Sequence, residues 1–275
     1  MNIIDRLVVI IALIACLTTT NNAYSADATT TAAACWDEGV GAYEARDYAK
    51  AVEAFEHIVA LGEASADVYY NLAGAYFKLG QQNISSSLRP FAGGELGRAV
   101  LNYHRALRLD PAMEDARYNL DLAVDHTNDT EAVPDSFLTQ LWHSLRDMTG
   151  TNGWTIASIA MLAIALTLTI VYLLGQRIVL RKVTFFTALV LYIGFMLTTA
   201  LGISSHMATT NDTRAVVICN DTTPVHASPD SASKIIRQPS QGVTIEVLRS
   251  HGDWSEILFA DGEKGWIRTS HIENI

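Results

Sequence analysis

Two long apolar runs in the second half of the chain constrain how every other part can be arranged. They cover residues 155–174 and 183–203 and carry no charged side chain, and each is long enough to cross a bilayer as a helix. Short connecting loops rich in arginine and lysine stay in the cytoplasm. The loop between the two runs contains Arg177, Arg181 and Lys182. The pattern therefore predicts a two-span hairpin with both flanking segments on the exported side.

The charge pattern limits the classes of function. A transport path through a membrane normally needs a charged group inside a span, so these spans are expected to be anchors. The formal net charge of −10 argues against a nucleic-acid partner, since binding phosphates requires basic patches. The chain lacks a nucleophile elbow, a glycine-rich phosphate loop and cysteine pairs with metal-ligand spacing. We therefore expect no enzyme activity, no cofactor and no metal.

The first 25 residues have the pattern of a secretory signal peptide. A short polar start ends at Arg6, an apolar run covers residues 7–17, and small residues follow at 23–25. An alternative stays open, because residues 13–16 (Leu-Ile-Ala-Cys) resemble the lipobox of bacterial lipoproteins. In that case Cys16 would be acylated and would become the new amino terminus. Both alternatives predict export of the segment that follows.

Residues 33–126 contain an internal repeat of about 34 residues. Trp36 and Tyr70 are 34 positions apart, and the same spacing separates Tyr43 from Phe77. The next equivalent position, Tyr118, comes 48 residues after Tyr70, which is 34 plus 14. An insertion is therefore predicted at residues 82–95, where serine, proline and glycine are frequent.

The repeat resembles the tetratricopeptide repeat, an all-α fold of stacked helix pairs. The pattern Tyr69-x-x-Leu72-Ala73-x-x-Tyr76 is close to its first-helix signature, and Ala51…Phe55 and Ala99…Tyr103 are similar to its second-helix signature. This resemblance implies a concave binding surface for a partner protein, although consensus repeats have aromatic residues at these positions for packing alone. The surface would combine the aromatic residues with polar partners, namely Trp36, Tyr43, Tyr70, Phe77 and Tyr118 with Asn71, Lys78 and Asn119.

Residues 136–148 place apolar side chains at helical spacing directly before the first apolar run. Such an amphipathic stripe is typical of an interfacial helix that lies on the outer leaflet. Packing against the end of the repeat region is the alternative.

Residues 214–275 have the composition of short strands separated by tight turns, which predicts a small all-β barrel. Four short segments resemble a bacterial SH3-like domain: Ser228-Pro229-Asp230, Gly242-Val243, Gly252-Asp253-Trp254 and Gly265-Trp266-Ile267. Domains of this kind contact cell-wall peptides or proteins. Trp254 and Trp266 are the candidate ligand-binding residues, with burial in the core as the alternative.

The order of these parts resembles the BatE family of the Bacteroides aerotolerance operon. Residues 97–111 are similar to that family's repeat core, and residues 116–123 to its following helix. The resemblance implies a multidomain protein of the bacterial inner membrane with both soluble domains in the periplasm. It also implies von Willebrand factor A-type membrane proteins as partners. We therefore expect a non-enzymatic scaffold of an aerotolerance complex, with a cell-wall peptide binder as the alternative.

Overall fold

The computed structural model describes residues 25–82, 91, 93–127, 137–210, 212–219 and 223–275. The predicted signal peptide, apart from Ser25, and the lipobox at residues 13–16 lie outside the described residues. So does most of the predicted insertion at 82–95. The remaining predictions fall on parts of the chain that the structure describes.

Five helices form an amino-terminal helical unit. They are α1 (Ser25–Glu44), α2 (Tyr48–Ala60), α3 (Ala66–Gln82), α4 (Glu95–Leu109) and α5 (Glu114–Val124). Each helix packs against the next one along the chain. The short connections 45–47 and 61–65 bring consecutive helices back antiparallel. The helix pairs agree in order with the predicted repeat, and the assignment to the tetratricopeptide-repeat family stays a prediction.

The core of the helical unit uses the small and aromatic residues that the repeat pattern singled out. Ala51, Phe55 and Ala99 are fully buried, and Tyr103 is almost so. A Cβ atom on Gly39 would lie 2.7 Å from the ring of Phe55, so the absence of a side chain there lets α1 and α2 approach closely. The aromatic ring therefore fills the space that glycine leaves.

Two apolar helices follow, α7 (Thr151–Leu174) and α8 (Ile178–Thr210), after the short helix α6 (Phe137–Arg146). Both are long and apolar enough to cross a membrane. Of the most apolar 18-residue stretch in each helix, only 6% and 17% is buried. They pack against each other along their length, and at one end Thr151 Oγ1 lies 3.1 Å from Ser205 Oγ. They therefore differ from the core helices of a soluble domain, whose apolar side chains are covered.

The apolar helices extend beyond the predicted spans 155–174 and 183–203. Helix α8 begins at Ile178, so Arg181 and Lys182 lie in its first turns and only residues 175–177 form the connection. The prediction that these two basic residues lie in a loop is therefore wrong. The Arg181 guanidinium lies 5.0 Å from the centre of the Tyr172 ring, a cation–π contact across the hairpin.

Helix α6, predicted as the interfacial helix 136–148, packs against α8. The Trp142 indole N–H donates a hydrogen bond to Ser204 Oγ at 3.2 Å. Its apolar side chains Phe137, Leu138 and Leu141 stay exposed. This helix therefore lies beside the end of the apolar pair with an uncovered apolar face.

A sheet domain forms the carboxy-terminal part. Its strands are β1 (Arg214–Val217), β2 (Val225–His226), β3 (Ile235–Arg237), β4 (Thr244–His251), β5 (Trp254–Leu258), β6 (Lys264–Arg268) and β7 (Ile272–Asn274). In the described residues they form one antiparallel sheet in the order β3-β2-β6-β5-β4-β1-β7. Gly262, at φ 87°, makes the turn between β5 and β6. The predicted small all-β domain is present.

The sheet domain docks onto helix α4 of the helical unit, an arrangement that the sequence did not predict. Val216 and Ile275 are buried within the core of the helical unit, and Ile218 packs against it. Arg105 Nη2 donates a hydrogen bond to Glu273 Oε1 at 2.7 Å. Strand β1 and the end of the chain therefore complete the core of the helices.

Gly97 and Gln241 define the closest approach between the two domains. A Cβ atom on Gly97 would lie 2.5 Å from the Val217 carbonyl oxygen, so only glycine fits there. The Gln241 side chain accepts a hydrogen bond from the Gly97 N–H at 3.4 Å and donates one to the Phe91 carbonyl. Because the first N–H groups of a helix have no partner inside it, Gln241 supplies one from the other domain.

Candidate functional site

Strand register places both candidate tryptophans on the face of the sheet domain that points away from its core. Trp254 lies opposite Arg268, and Glu256 lies opposite Trp266. Side chains alternate along a strand, so these four share one face. The residues between them, Ser255, Ile257 and Ile267, are buried on the other face. We name the first face the outer face; it comprises Trp254, Glu256, Trp266, Arg268 and, opposite Glu256 on β4, Arg249.

An arginine side chain lies over each tryptophan ring. The Arg249 guanidinium lies 5.4 Å from the centre of the Trp266 ring and 2.5 Å from the Glu256 carboxylate. The Arg268 guanidinium lies 4.9 Å from the centre of the Trp254 ring. Both distances are within the range of cation–π attraction. The outer face is therefore an aromatic surface with two cations and one anion.

His226 supports this surface from strand β2. Its ring lies edge-on to Trp254, with the centroids 5.2 Å apart, and its Nδ1 lies 3.1 Å from the Ser233 carbonyl oxygen. Trp254 is only 9% exposed, so it packs within the outer face and offers a ligand little contact area. Trp266 is half-buried, and it is the ring that a ligand can reach.

The outer face can bind a segment that carries both charges. A tryptophan ring offers a large contact area at a low cost in conformational entropy. The Arg249 side chain, 67% exposed, can turn its planar guanidinium to a ligand carboxylate. Glu256 can accept hydrogen bonds from an amine. These are groups for recognition, and they include no nucleophile with an adjacent base.

The predicted aromatic stripe of the helical unit is only partly a surface. Phe77 is 5% exposed and packs against Phe91 and His126, so it belongs to the core, and its predicted place in a binding groove is corrected. Trp36 lies edge-on to Phe55, with the centroids 5.7 Å apart. Phe77 is covered because the Phe91 ring packs onto α3.

Tyr43 and Tyr70 form a half-buried part of the stripe. The rings of Tyr70 and Tyr103 lie 6.1 Å apart, and Asn119 Nδ2 donates a hydrogen bond to the Tyr70 hydroxyl at 3.1 Å. Burial raises the pKa of Tyr43, with smaller effects of Tyr48 and Tyr70. These contacts bring together three of the predicted residues, Tyr43, Tyr70 and Asn119.

The other predicted residues of the stripe lie apart from this cluster or bond locally. Tyr118 is 71% exposed. Asn71 Nδ2 donates to the Asp67 carbonyl at 2.8 Å, and Lys78 Nζ donates to Gln81 Oε1 at 3.4 Å. Their predicted role in holding a partner backbone or carboxylate stays a prediction.

The described residues include two free thiols and no clustered metal ligands. No group of three or more His, Cys, Asp or Glu side chains is placed there to hold a metal ion. Cys35 and Cys219 are free thiols, and Cys35 Sγ lies 3.2 Å from His57 Nδ1.

Sequence reasoning singled out the two tryptophans of the outer face but missed its charged residues. Trp266 and Arg268 are two positions apart, as are Trp254 and Glu256. In a strand this spacing puts both side chains on one face. The alternation was thus readable from the sequence, whereas the contribution of Arg249 depends on the pairing of β4 with β5.

Comparison with known proteins identifies the domain that carries this face. Residues 221–273 match the family model of the bacterial SH3 domain, and the chain contains such a domain there. The match suggests binding of a protein or of peptidoglycan. No curated protein and no solved structure matches the chain. Strand β1, which docks onto α4, lies before the matched residues.

Proposed function

We propose that the chain is a non-enzymatic, membrane-anchored scaffold that binds a protein segment on the outer face of its SH3 domain. The observation that carries this proposal is the position of Trp266 with Arg249 and Glu256 on an open face. The strand that contacts α4 is β1, and the tryptophans lie on β5 and β6, beyond β4 in the sheet. Docking therefore leaves the ligand-binding face free while it fixes the orientation of the domain.

Anchoring in the membrane is supported by the exposure of α7 and α8. Large apolar side chains such as Ile156, Leu173 and Met196 are more than two-thirds exposed, which is costly in water but favourable in lipid. The exposed apolar face of α6 beside them fits the headgroup region of the same leaflet. We infer that α7 and α8 span the bacterial inner membrane.

The predicted topology is supported by the contact between the two domains. The helical unit precedes the apolar pair and the sheet domain follows it, and the two pack together. This requires both on one side of the membrane, as an even number of spans provides. With the 175–177 connection in the cytoplasm, both domains lie in the periplasm.

The partner class follows from the resemblance to the BatE family. In that setting the helical unit and the outer face would hold von Willebrand factor A-type proteins in an aerotolerance complex. A second candidate function is binding of a cell-wall peptide. It is favoured by Arg249 and Glu256, since a peptidoglycan stem peptide carries both carboxylates and amines.

The experiment compares both ligands on the full-length protein. Protein purified in detergent is incubated with purified sacculi, and partners are captured in parallel by cross-linking mass spectrometry on native membranes. Trp266→Ala removes the accessible ring, whereas Ile235→Ala removes an exposed apolar side chain of the same domain as the matched control. A central aromatic contact is worth about 2 kcal/mol or more, which is about 30-fold in affinity.

The scaffold proposal expects cross-links to partner proteins that Trp266→Ala reduces and Ile235→Ala leaves unchanged. It also expects that the wild-type protein is not retained on sacculi. Retention on sacculi that depends on Trp266 selects the cell-wall function. If both variants behave as the wild type in both assays, the outer face is not a binding site. A reporter enzyme fused after Ile275 that is active only in the cytoplasm would contradict the topology.

A further inference from the structure

A cleft of about 150 Å³ lies where the helical unit, the apolar helices and the sheet domain meet. Its walls come from α4 and α5, from the end of α6 and the residue after it, from the last turns of α8 and from the start of β1. It is lined by four arginines and two aspartates: Arg108, Arg117, Arg146, Arg214, Asp147 and Asp212. We name it the arginine cleft.

The two aspartates neutralise two of the four arginines. Arg146 binds the Asp147 carboxylate through two hydrogen bonds of 2.7 and 3.2 Å. Arg214 binds Asp212 in the same way, at 2.9 and 2.7 Å. Burial acts to raise the pKa of Asp212, but the hydrogen bonds from Arg214 outweigh it and the pKa is lowered. The Asp212 carboxylate is therefore ionised at neutral pH.

The other two arginines bind main-chain oxygens. Arg108 donates a hydrogen bond to the Ile275 main-chain oxygen, and Arg117 donates one of 2.7 Å to the Pro111 carbonyl. In the described part of the chain neither forms an ion pair with a side-chain carboxylate. A guanidinium carries five N–H donors, so each keeps donors for a ligand.

Counted over its lining side chains, the arginine cleft has a formal charge of +2, from four arginines less two aspartates, in a chain whose formal charge is −10. His104, which also lines it, adds no charge at neutral pH. Burial, followed by the charge of Arg214, lowers its pKa to about 4. The adjoining cavity of about 530 Å³ shares Arg108 with the cleft and has Asp110 as its acidic lining residue. Arg117, Arg146 and Arg214 line the cleft and not the adjoining cavity.

We propose that the arginine cleft binds the phosphate group of an anionic membrane phospholipid. The proposal rests on the membrane orientation proposed above, in which Ser205 and Thr209 of the cleft wall lie at the outer boundary of the bilayer. Arginine is suited to phosphate because its planar donors pair with two oxygens at once. The exposed apolar side chains of the neighbouring α6 give the acyl chains a surface.

The test uses the full-length protein in nanodiscs and in detergent. Binding is measured by native mass spectrometry and by thermal shift with phosphatidylglycerol, with zwitterionic phosphatidylcholine, and with inorganic phosphate alone. Arg117→Gln should weaken binding of phosphatidylglycerol about fivefold, since one basic residue near an anionic surface is worth about this factor. Arg46→Gln removes the same charge from an exposed residue in the 45–47 connection, outside the cleft and the outer face, and serves as the control.

Asp147→Asn provides the opposite change. It removes a competing carboxylate and frees Arg146, so binding of phosphatidylglycerol should become tighter, a gain that damage to the fold would not produce. Equal binding of the two lipids, or equal effects of Arg117→Gln and Arg46→Gln, overturns the proposal. Inorganic phosphate that binds as tightly as the lipid overturns the lipid as the source. Ligand capture by Trp266 is measured separately, so either proposal can fail alone.

Discussion

Replacing Gly97 by alanine should separate the sheet domain from the helical unit. The new Cβ atom would lie 2.5 Å from the Val217 carbonyl oxygen and 3.0 Å from Ile218 Cα. Ordinary van der Waals contact begins at 3.4 Å, so strand β1 must retreat by about 0.9 Å, the difference between 3.4 and 2.5. The Val217 carbonyl also accepts the Gly242 N–H at 2.8 Å, so it cannot turn away alone.

The magnitude follows from two opposing contributions. Overpacking of a close contact costs about 1–3 kcal/mol, and alanine in place of glycine inside a helix regains about 0.5–1 kcal/mol. The matched control is Gly41→Ala in α1, where nothing lies within 4 Å of the new Cβ. At Gly41 only the stabilisation that alanine gives inside a helix remains. We therefore expect the melting temperature to fall for Gly97→Ala and to rise for Gly41→Ala, each by a few degrees.

Hydrogen–deuterium exchange distinguishes undocking from general destabilisation. Full-length protein in detergent should show faster exchange in strand β1 and around Gly242 for Gly97→Ala, and unchanged exchange in β5 and β6. The larger variant Gly97→Leu should increase this local effect. If Gly97→Ala and Gly41→Ala change the melting temperature by the same amount and leave the exchange of β1 as in the wild type, the docked arrangement is wrong.

Three further predictions concern the same interface. His104 has a pKa of about 4 in the folded protein and about 6.5 in the unfolded chain, so the unfolded state binds a proton first as the pH falls. Unfolding titrations should therefore show up to about 3 kcal/mol of stability lost between pH 6.5 and 4, and His104→Gln should lose less over the same range. Gln241→Ala leaves the Gly97 N–H and the Phe91 carbonyl without this partner, and denaturant unfolding should show a loss of about 1–2 kcal/mol. Arg105 and Glu273 are partly exposed, so a double-mutant cycle should give a coupling below about 1 kcal/mol.

Local patterns in the sequence predicted most of the elements. The resemblance to the second-helix signature singled out Ala51, Phe55 and Ala99, and all three are buried, because a small residue and an aromatic four positions later pack between neighbouring helices. The apolar runs predicted α7 and α8, since length and hydropathy are local properties. Their ends were less predictable. Helix α8 continues through the polar residues 204–210, where Thr209 and Thr210 donate hydrogen bonds to the His206 carbonyl and so satisfy their hydroxyl groups within the helix.

The contacts between distant segments could not be predicted in this way. Gly97 has the small size that the repeat pattern tolerates near a second helix, and nothing in its neighbourhood indicates that a strand 120 residues later, at Val217, packs on it. The burial of Phe77 likewise depends on Phe91, which lies in the insertion rather than in the repeat. The side chains that line the arginine cleft come from five elements. No pattern within any one of these segments indicates that they meet.

The hairpin of α7 and α8 keeps the two docked domains close together. Thr151 and Ser205, near the ends of the two helices, are in contact, so the segments that lead to the two domains start at neighbouring points. Such tethering corresponds to an effective concentration of about millimolar, at which a weak interface is still largely formed. The outer face with Trp266 is thereby presented in a fixed orientation, which lowers the entropy lost when a ligand binds. The arginine cleft is lined by residues of the helical unit, the apolar helices and the sheet domain. A ligand that binds the docked state more tightly than the undocked state would therefore stabilise docking.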